Sequence, residues 1–314
     1  MRNVSRHLVT LLLGYYLFPL FAVSAAPKDS VEPDLPFSIE NGSIRPLRQL
    51  LNPDLQRNLE ESLRQNKAWD RLIQKKKMAV GLVDISDPNR VRFAHLNGNV
   101  MMYAASLPKL AILLAACQSF EDGTLGETPE ILKDLRIMIS QSDNSAATRM
   151  IKRMGFKKIE SVLRDPRYEL YDIRRGGGFW VGKMYAKEGN RYPDPLMGLS
   201  HAATVTQVCR YYYLLAMGKL VSFERSKQML GILADPELHH KFVNSYDKLE
   251  PDAKLYRKSG TWRKWHSDSV LIWGPVWRRY IVAALVEDVN GEQILRDLIP
   301  TVDNLMNSQK LSSK

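Results

Sequence analysis

Two kinds of hydrophobic spacing alternate along the chain and predict a protein of mixed helices and strands. Apolar residues recur every three or four positions in several stretches, which is typical of helices with one buried face. Shorter runs alternate between apolar and polar residues or are apolar throughout, which is typical of strands. The predicted helices cover residues 54–75, 106–117, 131–154, 157–164, 203–217, 224–233 and 292–306, and the predicted strands cover 78–85, 90–96, 253–262, 269–274 and 279–288.

The order of these elements predicts an α+β fold. Two strands near the start and three near the end flank a long helical middle, so we expect both ends of the chain to build one five-stranded antiparallel sheet. The terminal helices would cover one face, giving an α/β sandwich, and the middle would form an all-helical lobe. The predicted domain spans 51–310, with its sheet part at 51–105 and 250–310 and its helical lobe at 106–249. A small ligand would bind in the cleft between the two parts.

The first 25 residues have the pattern of a signal peptide. An arginine-containing start precedes an apolar run at 8–23, and small residues mark a cleavage site near Ala25. An uncleaved membrane anchor is the alternative, which the shortness of the run and its proline disfavour. Residues 26–50 are rich in proline, serine and charge and predict an extended leader. We expect a periplasmic or secreted protein with no stable membrane span after cleavage, since no later segment is apolar and long enough to cross a bilayer.

The charge balance predicts anionic partners. The chain has 45 Lys and Arg against 34 Asp and Glu, a net charge of +11, which falls to +9 without Arg2 and Arg6. A basic exported protein is attracted to anionic surfaces such as cell-wall polymers, so peptidoglycan is a candidate partner. No nucleic-acid motif accompanies the charge, and we expect no nucleic-acid partner.

The cysteines and histidines indicate no cofactor. Cys117 and Cys209 lie in apolar helical segments and form either a disulfide or two buried thiols, of which the second is favoured. No Cys or His spacing matches a metal site, and the adjacent pair His239–His240 is interpreted as surface. We therefore expect neither a metal nor an organic cofactor.

Ser106 and Lys109 form the first candidate for chemistry. Residues three apart at the start of a helix share a face, so the lysine lies beside the serine hydroxyl. A serine is a poor nucleophile until a base takes its proton, and a buried lysine with a lowered pKa is such a base. The same spacing recurs at Ser245 and Lys248, so two polar residues at the start of a buried helix are the alternative.

A second candidate is Ser142-Asp143-Asn144, at a break between apolar helical stretches. A serine there can pass a proton to a leaving group, and the Asn144 amide can hold a substrate amide. Taken alone, these residue types are more typical of a helix N-cap.

The third candidate is Lys258-Ser259-Gly260-Thr261, in a predicted strand. A glycine inside a strand predicts that another group approaches its backbone closely, and a lysine with neighbouring hydroxyls suits a carboxylate. An edge strand with a protective lysine is the alternative. Each motif is weak alone, but the three occur in order on a helix start, a loop and a late strand, which favours one shared site.

Together the segments SLPKLAILLAA, SDNSAATRMI and YRKSGTW resemble the active-site-serine enzymes that recognise penicillins, namely class A β-lactamases and D-alanyl-D-alanine peptidases. The resemblance covers about residues 50–308 and implies the β-lactamase/transpeptidase-like fold. By this resemblance Ser106 is the acylated nucleophile, Lys109 is its base or part of the base relay, and Ser142 passes the proton to the departing nitrogen.

The resemblance also implies how a substrate is bound. Asn144 would hold the acyl side-chain amide, and the backbone N–H groups of Ser106 and Thr261 would form the oxyanion hole. The lysine and the two hydroxyls of the third motif would bind the substrate carboxylate. The substrate-binding residues of that motif would be Lys258, Ser259, Gly260 and Thr261.

The loop over residues 165–200 departs from the family pattern. Loops this long inside a compact domain usually carry function, and class A β-lactamases place there a glutamate that activates the deacylating water. The expected position falls near Gly178, where this chain has no acid. Asp172, Glu188 and Asp194 lie in the same loop, and Glu188 is the best substitute among them.

Two further departures concern the shape of the cleft. Ser106 and Ser142 are only 36 residues apart, which is short for the family, so part of the helical lobe is expected to be trimmed. The segment WRKWHSDS is bulky where many relatives have small residues, and Arg257 or Arg263 is a candidate for extra carboxylate binding. The side chains that either line the cleft or simply pack are Trp262, Arg263, Trp265 and His266.

We therefore expect an exported serine hydrolase that forms an acyl-enzyme on Ser106 with β-lactams or related amides and deacylates slowly. The alternatives are a D-alanyl-D-alanine-type peptidase or amidase acting on cell-wall peptides, and a non-catalytic module that binds the cell wall.

Overall fold

The structure is a computed structural model that describes residue 35 and residues 44–312. These belong to one unit, Asp34–Lys314. The predicted signal peptide, 1–25, and most of the predicted leader, 26–50, lie outside the described residues.

The helices are α1 (Pro53–Arg64), α2 (Lys67–Gln74), α3 (Lys109–Glu121), α4 (Pro129–Ser140), α5 (Asn144–Met154), α6 (Phe156–Leu163), α7 (Val205–Ala216), α8 (Phe223–Leu233), α9 (Phe242–Leu249) and α10 (Gly291–Ser312). The strands are β1 (Met78–Asp84), β2 (Arg92–Leu96), β3 (Met102–Tyr103), β4 (Tyr171–Asp172), β5 (Gly177–Gly178), β6 (Trp180–Val181), β7 (His201–Ala203), β8 (Lys254–Trp262), β9 (Trp265–Trp273) and β10 (Arg279–Glu287).

A five-stranded antiparallel sheet forms the centre of the fold, in the order β2-β1-β10-β9-β8. The prediction that both ends of the chain share one sheet is confirmed, since Met78 of β1 lies opposite Val286 of β10. β9 and β8 form a hairpin, and β8 is one of the two edge strands of this sheet. Apart from one bridge between Tyr256 and Ala234, the outer side of β8 pairs with no other described strand.

Hydrophobic cores lie on both faces of the sheet, as the predicted sandwich and lobe require. On one face the terminal helices and α9 pack around residues such as Leu59, Phe242 and Leu298. On the other face the helices α3–α8 form the lobe. β1 is buried at every position because both faces are covered, and it therefore appears in the sequence as a continuous apolar run.

Helix α3 is the central helix of the lobe. It is apolar on nearly every side, and all of its residues from Lys109 to Phe120 are buried. The burial of the helix takes Lys109, at its first position, out of water.

Several elements differ from the sequence prediction. The predicted helix 54–75 is two helices, because Asn66 accepts hydrogen bonds from two backbone N–H groups and caps a new helix. The predicted stretch 131–154 likewise breaks between α4 and α5. The sequence prediction missed α9, whose 8 residues are too few for a clear helical period. β9 begins at Trp265 rather than residue 269, because its first residues are polar although they are largely buried.

The two cysteines are buried free thiols, Cys117 on α3 and Cys209 on α7. The second of the two sequence alternatives is therefore the one in the structure. Within residues 44–312, none of the helices combines the length and the apolar character that a membrane span requires.

Candidate active site

Ser106 lies half-buried in a tight turn just before α3. Ala105 has a φ of 50°, a left-handed conformation that residues other than glycine rarely adopt. Two hydroxyl groups hold the turn from outside: Ser267 donates to the Ala104 carbonyl (2.9 Å) and Tyr185 donates to the Ala105 carbonyl (3.1 Å). The predicted nucleophile thus follows a strained residue that the surrounding structure keeps in place.

Lys109 is fully buried one turn after Ser106. Its Nζ donates to the Ser142 carbonyl (2.6 Å) and to Asn144 Oδ1 (2.8 Å), and it lies 3.4 Å from Ser142 Oγ. Burial lowers the pKa of Lys109 to about 7, against the opposing effect of Asp143. A substantial fraction of this amine is therefore neutral near pH 7, which is what a general base requires.

The Ser142-Asp143-Asn144 segment contains both a helix N-cap and residues of the candidate site, the two alternatives predicted from the sequence. Asp143 is the N-cap of α5, and its side chain accepts a hydrogen bond from the Ala146 N–H (2.6 Å). Ser142, with a φ of 59°, and Asn144 both contact Lys109 instead. The capping function thus belongs to Asp143 alone, and its two neighbours are available to the site.

Lys258 brings the edge strand β8 into the same cluster. Its buried Nζ donates to Ser142 Oγ (2.9 Å) and to the Ser259 carbonyl (2.8 Å). Burial and then the charge of Lys109 lower the pKa of Lys258 well below its usual range. The Ser142 hydroxyl therefore lies between two amines, on a path along which a proton can move.

Gly260 is the point at which β8 meets the nucleophile turn. A Cβ on this residue would lie 2.4 Å from the Ala104 carbonyl oxygen and 2.6 Å from the Ser106 nitrogen. The close approach that the sequence predicts for this glycine is therefore made by the Ser106 turn. It places the next residue, Thr261, beside the nucleophile.

The hydroxyls of Ser259 and Thr261 lie on the opposite face of β8 from Lys258, because successive residues of a strand alternate. Ser259 Oγ is 3.2 Å from His240 Nε2, and Thr261 Oγ1 accepts from Lys241 Nζ (2.7 Å). His240 was expected on the surface and is half-buried. Sequence reasoning missed Lys241, since no local pattern marks it as buried.

The carboxylates of the 165–200 loop are engaged away from Lys109. Asp194 is buried and accepts hydrogen bonds from three backbone N–H groups of its own loop. Asp172 caps the short 3-10 helix that follows it, and Glu188 is exposed. Asp143, outside this loop, is the one carboxylate whose charge acts on Lys109 among the described residues.

Tyr185 is the loop residue that faces Lys109. Its ring centroid lies 4.6 Å from Lys109 Nζ and 4.3 Å from the His201 ring centroid. Burial raises the pKa of Tyr185 well above its usual range, so the phenol stays neutral. Sequence reasoning missed this residue, because an aromatic residue in an irregular loop has no periodic signal.

Arg257 is held by structural contacts and is not the extra carboxylate ligand considered from the sequence. Its guanidinium pairs with Asp268 (2.7 and 2.8 Å) and donates to the carbonyls of Leu238 and His240. Arg263, the other candidate, is exposed at the β8–β9 turn with its guanidinium 5.6 Å from the Trp262 ring centroid.

In the bulky segment WRKWHSDS, which follows the third motif, some side chains are exposed and others are packed. Trp262 is exposed at the end of β8, whereas Trp265 packs edge-to-face on Tyr103 (5.5 Å between centroids). His266 is buried against Gly291, where a Cβ would lie 2.6 Å from its ring. Packing therefore accounts for Trp265 and His266, and Trp262 is left at the rim of the edge strand.

The fold is similar to those of solved β-lactamases. A β-lactamase from Sphaerobacter thermophilus superposes with a TM-score of 0.61 at 16% identity, over 78% of this chain and 95% of that chain. The TLA-3 extended-spectrum β-lactamase gives 0.60 at 13% identity, over 80% and 98%. PBP-A gives 0.59 at 17% identity, over 88% and 100%. At these identities the likeness shows the fold alone, and none of the curated proteins matches the sequence.

The sequence profile of the Beta-lactamase enzyme family matches residues 124–305, which is more than half of the chain. The chain therefore belongs to the β-lactamase enzyme family, and family and fold together support a serine hydrolase. The matched region contains the second and third motifs. Ser106 and Lys109 precede it, so the case for their roles rests on the geometry of the site.

Proposed function

We propose that this protein is an exported serine hydrolase that forms an acyl-enzyme on Ser106 with β-lactams or related amides and releases the acyl group slowly. One observation carries the proposal: Lys109 Nζ, Ser142 Oγ and Lys258 Nζ are linked at 3.4 and 2.9 Å beside the Ser106 turn. These groups come from the start of α3, the α4–α5 connection and β8. Their convergence supplies a base and a proton path for acyl transfer.

Acylation follows from this arrangement. Neutral Lys109 takes the hydroxyl proton as Ser106 Oγ attacks the carbonyl carbon. The developing oxyanion accepts hydrogen bonds from the backbone N–H groups of Ser106 and Thr261. The C–N bond then breaks, the nitrogen takes the hydroxyl proton of Ser142, and Lys109 returns a proton to Ser142. The serine is left as an ester, and the nitrogen leaves as an amine or stays tethered where a β-lactam ring has opened.

Slow deacylation is inferred from the loop that faces Lys109. Hydrolysis of the ester needs a water molecule and a group that takes its proton. Of the loop acids, Asp172 and Asp194 accept hydrogen bonds from backbone N–H groups, Asp165 and Glu169 pair with arginines, and Glu188 is exposed. The neutral Tyr185 ring occupies the space beside Lys109. A phenol that holds its proton cannot activate the water.

A D-alanyl-D-alanine-type peptidase or amidase is the second candidate. It is favoured by β8 being an edge strand, because an extended peptide can pair with such an edge. A non-catalytic cell-wall module is a third candidate, favoured by the net charge of +9 that remains without Arg2 and Arg6. Salt-sensitive binding to peptidoglycan that is unchanged in Ser106→Ala, without any acylation of the wild type, would select the third.

Export is inferred from residues 1–25, which lie outside the described residues. Edman sequencing of protein recovered from the periplasm or medium tests it. A mature N-terminus at Ala26 is expected, and a chain that retains Met1 in the cytoplasm contradicts export.

Intact-protein mass spectrometry after mixing with a penicillin tests the acylation. We expect a persistent adduct on the wild type and no adduct on Ser106→Ala. Ser245→Ala is the matched control, because Ser245 has the same spacing to a lysine but its hydroxyl donates to the Arg296 carbonyl (2.8 Å). Wild type without an adduct toward several β-lactams overturns acylation, and rapid turnover without accumulation overturns slow deacylation.

A further inference from the structure

Four arginines that the proposed acylation does not use lie close together, although they are far apart in the sequence. Arg45 and Arg48 precede α1, Arg175 lies in the loop between α6 and α7, and Arg210 lies in α7. Burial lowers the pKa of Arg48, and the charges of Arg175 and Arg210 lower it further. The Arg45 carbonyl accepts a hydrogen bond from the Tyr213 hydroxyl (3.3 Å), one turn after Arg210 on α7. These four residues form the arginine cluster.

A close contact between the loop and the segment after β2 places Arg175 near Arg48. Gly176 follows Arg175, and a Cβ on this glycine would lie 2.2 Å from the Asn99 carbonyl oxygen. Only a glycine permits the loop backbone to approach another backbone so closely. The Asn99 side chain in turn accepts a hydrogen bond from Arg48 Nη1 (2.6 Å). Both arginine-bearing segments therefore contact Asn99, and the fold holds the two cations near each other.

The positive charge of the arginine cluster exceeds the negative charge around it. Asp172 and Glu169 are the carboxylates whose charge acts on Arg48. Asp172 pairs with Arg175 at 3.4 Å, and Glu169 pairs with Arg210 at 3.5 Å. The partner of Arg48 is a neutral amide, and its Nη2 is buried with no hydrogen-bond partner among the residues that the structure describes. Buried charges are normally paired, so two carboxylates against four guanidinium groups leave an excess of two positive charges.

The chemistry of the arginine cluster favours a phosphate group. A guanidinium is planar and always charged, and it donates two parallel hydrogen bonds to a phosphate. Arg45 and Arg175 are exposed and can donate to a ligand, whereas Arg48 and Arg210 are half-buried and contribute fixed charge nearby. A phosphate monoester carries about two negative charges near pH 7, which matches the excess, whereas a carboxylate carries one.

We propose that Arg45, Arg48, Arg175 and Arg210 form a binding site for a phosphate-bearing ligand. The site shares no residue with the candidate active site around Ser106 and does not depend on the proposed acylation. A soluble phosphate compound and a lipid headgroup present the same chemical group to the arginines. Binding to a soluble ligand and binding to a vesicle distinguish these two sources.

Isothermal titration calorimetry with glycerol 3-phosphate tests the site. The ionic strength is held constant with sodium chloride, because salt screens exposed charges. We expect saturable binding to the wild type and an affinity at least about tenfold weaker for Arg48→Gln/Arg175→Gln, since two charges that attract the ligand are removed. Lys152→Gln/Lys157→Gln is the matched control: it removes two charges from exposed positions on α5 and α6 and should bind like the wild type.

Sedimentation with phosphatidylglycerol vesicles identifies the source of the phosphate. Sedimentation that the arginine variant loses and the lysine variant keeps indicates a lipid headgroup. Binding of glycerol 3-phosphate without sedimentation indicates a soluble ligand. Each of these results supports the site.

Other results contradict the site. Wild type that binds neither probe, or that binds acetate as tightly as glycerol 3-phosphate, overturns the proposal. Equal affinity in the wild type and in Arg48→Gln/Arg175→Gln also overturns it. Should that variant fail to fold, Arg175→Gln replaces it, because this side chain is exposed and lies outside the core. An affinity of Arg175→Gln equal to that of the wild type then overturns the proposal.

Discussion

Three buried lysines lie in strand β8 or close to it. Lys109, Lys241 and Lys258 are buried, and burial is the first cause that lowers the pKa of each. Their charges also oppose one another, as the effect of Lys109 and Lys241 on the pKa of Lys258 shows. A site of this kind holds a neutral amine for proton transfer and retains an attraction for anions.

The pH dependence of acylation follows from Lys109. Its pKa is lowered to about 7, so the amine is charged below that pH and neutral above it. We expect the acylation rate to rise between pH 5.5 and 8 and to level off, because only the neutral form accepts the Ser106 proton. Stopped-flow or quenched mass spectrometry measures it. Lys109→Met should lower the rate about 10²–10⁴-fold. A wild-type rate that does not change over this range contradicts the assignment of the base.

We expect Tyr185 to determine the lifetime of the proposed acyl-enzyme. Tyr185→Ala opens the space beside Lys109, so water can enter with the lysine as its base, and we expect deacylation to become about tenfold faster or more. Tyr185→Phe is the matched control, since it keeps the ring over Lys109 and loses only the hydrogen bond to the Ala105 carbonyl. The decay of the adduct mass is followed after removal of free drug. Equal lifetimes in all three proteins would refute the shielding role.

At the scale of secondary-structure elements, the site depends on a single close contact between a turn and a strand. The Ser106 turn is held to the β8–β9 hairpin by the Ser267 hydroxyl and lies against the backbone of Gly260. A strained turn keeps its conformation only where such contacts are maintained. The hairpin therefore acts as a template for the turn that carries Ser106, the proposed nucleophile.

Gly260→Ala tests this contact. The new Cβ would lie 2.4 Å from the Ala104 carbonyl oxygen, so the turn or the strand must shift. We expect a stability loss of about 1–3 kcal/mol and a fall in acylation of about 100-fold or more, since small misplacements of reacting groups are costly. Gly231→Ala in α8 is the control: nothing lies within 4 Å of its Cβ, and it should stabilise by about 0.5–1 kcal/mol. Thermal unfolding and adduct formation measure the two effects, and full acylation of Gly260→Ala would contradict the template role.

At the scale of the whole molecule, two cores share one sheet and bury groups from distant parts of the chain. In the lobe core, Cys209 of α7 packs on β1, where a Cβ on Gly81 would lie 2.7 Å from its Sγ. Cys117 lies on the central helix α3. Burial raises the pKa of Cys117 to about 12, and it also raises the pKa of Cys209. Both thiols should therefore be unreactive while the lobe is folded.

Labelling with N-ethylmaleimide tests whether the thiols of Cys117 and Cys209 are buried in the native lobe. We expect no label on native protein and two labels after denaturation without reductant, because both thiols are free and buried. Intact mass spectrometry counts the labels, and the rate of labelling in the native state measures opening of the lobe. A mass that is lower by two hydrogens and takes no label on unfolding would show a disulfide and contradict the structure.

The sequence by itself determined the α+β fold, the succession of its main strands along the chain and the three motifs, because these follow from local signals. Hydrophobic period, capping residues and a glycine within a strand act over a few positions, so the close approach at Gly260 and an N-cap within Ser142–Asn144 can be predicted without a structure. Elements that lack a clear local signal were predicted wrongly. The short helix α9 has too few residues for a period, and the polar start of β9 resembles a loop until its burial is seen.

Only the tertiary structure decided which polar groups are buried and which distant groups meet. Lys241 and Tyr185 are ordinary residues in the sequence, and Ser245 has the same spacing to a lysine as Ser106. Contacts with residues far along the chain decide the environment of each of these side chains. The Tyr185 ring lies over Lys109, Lys241 donates a hydrogen bond to Thr261, and the Ser245 hydroxyl donates to the Arg296 carbonyl. A side chain has a shifted pKa or a fixed hydroxyl orientation only when several elements bury it. Such burial depends on the folded chain as a whole and not on the residues next to it in sequence.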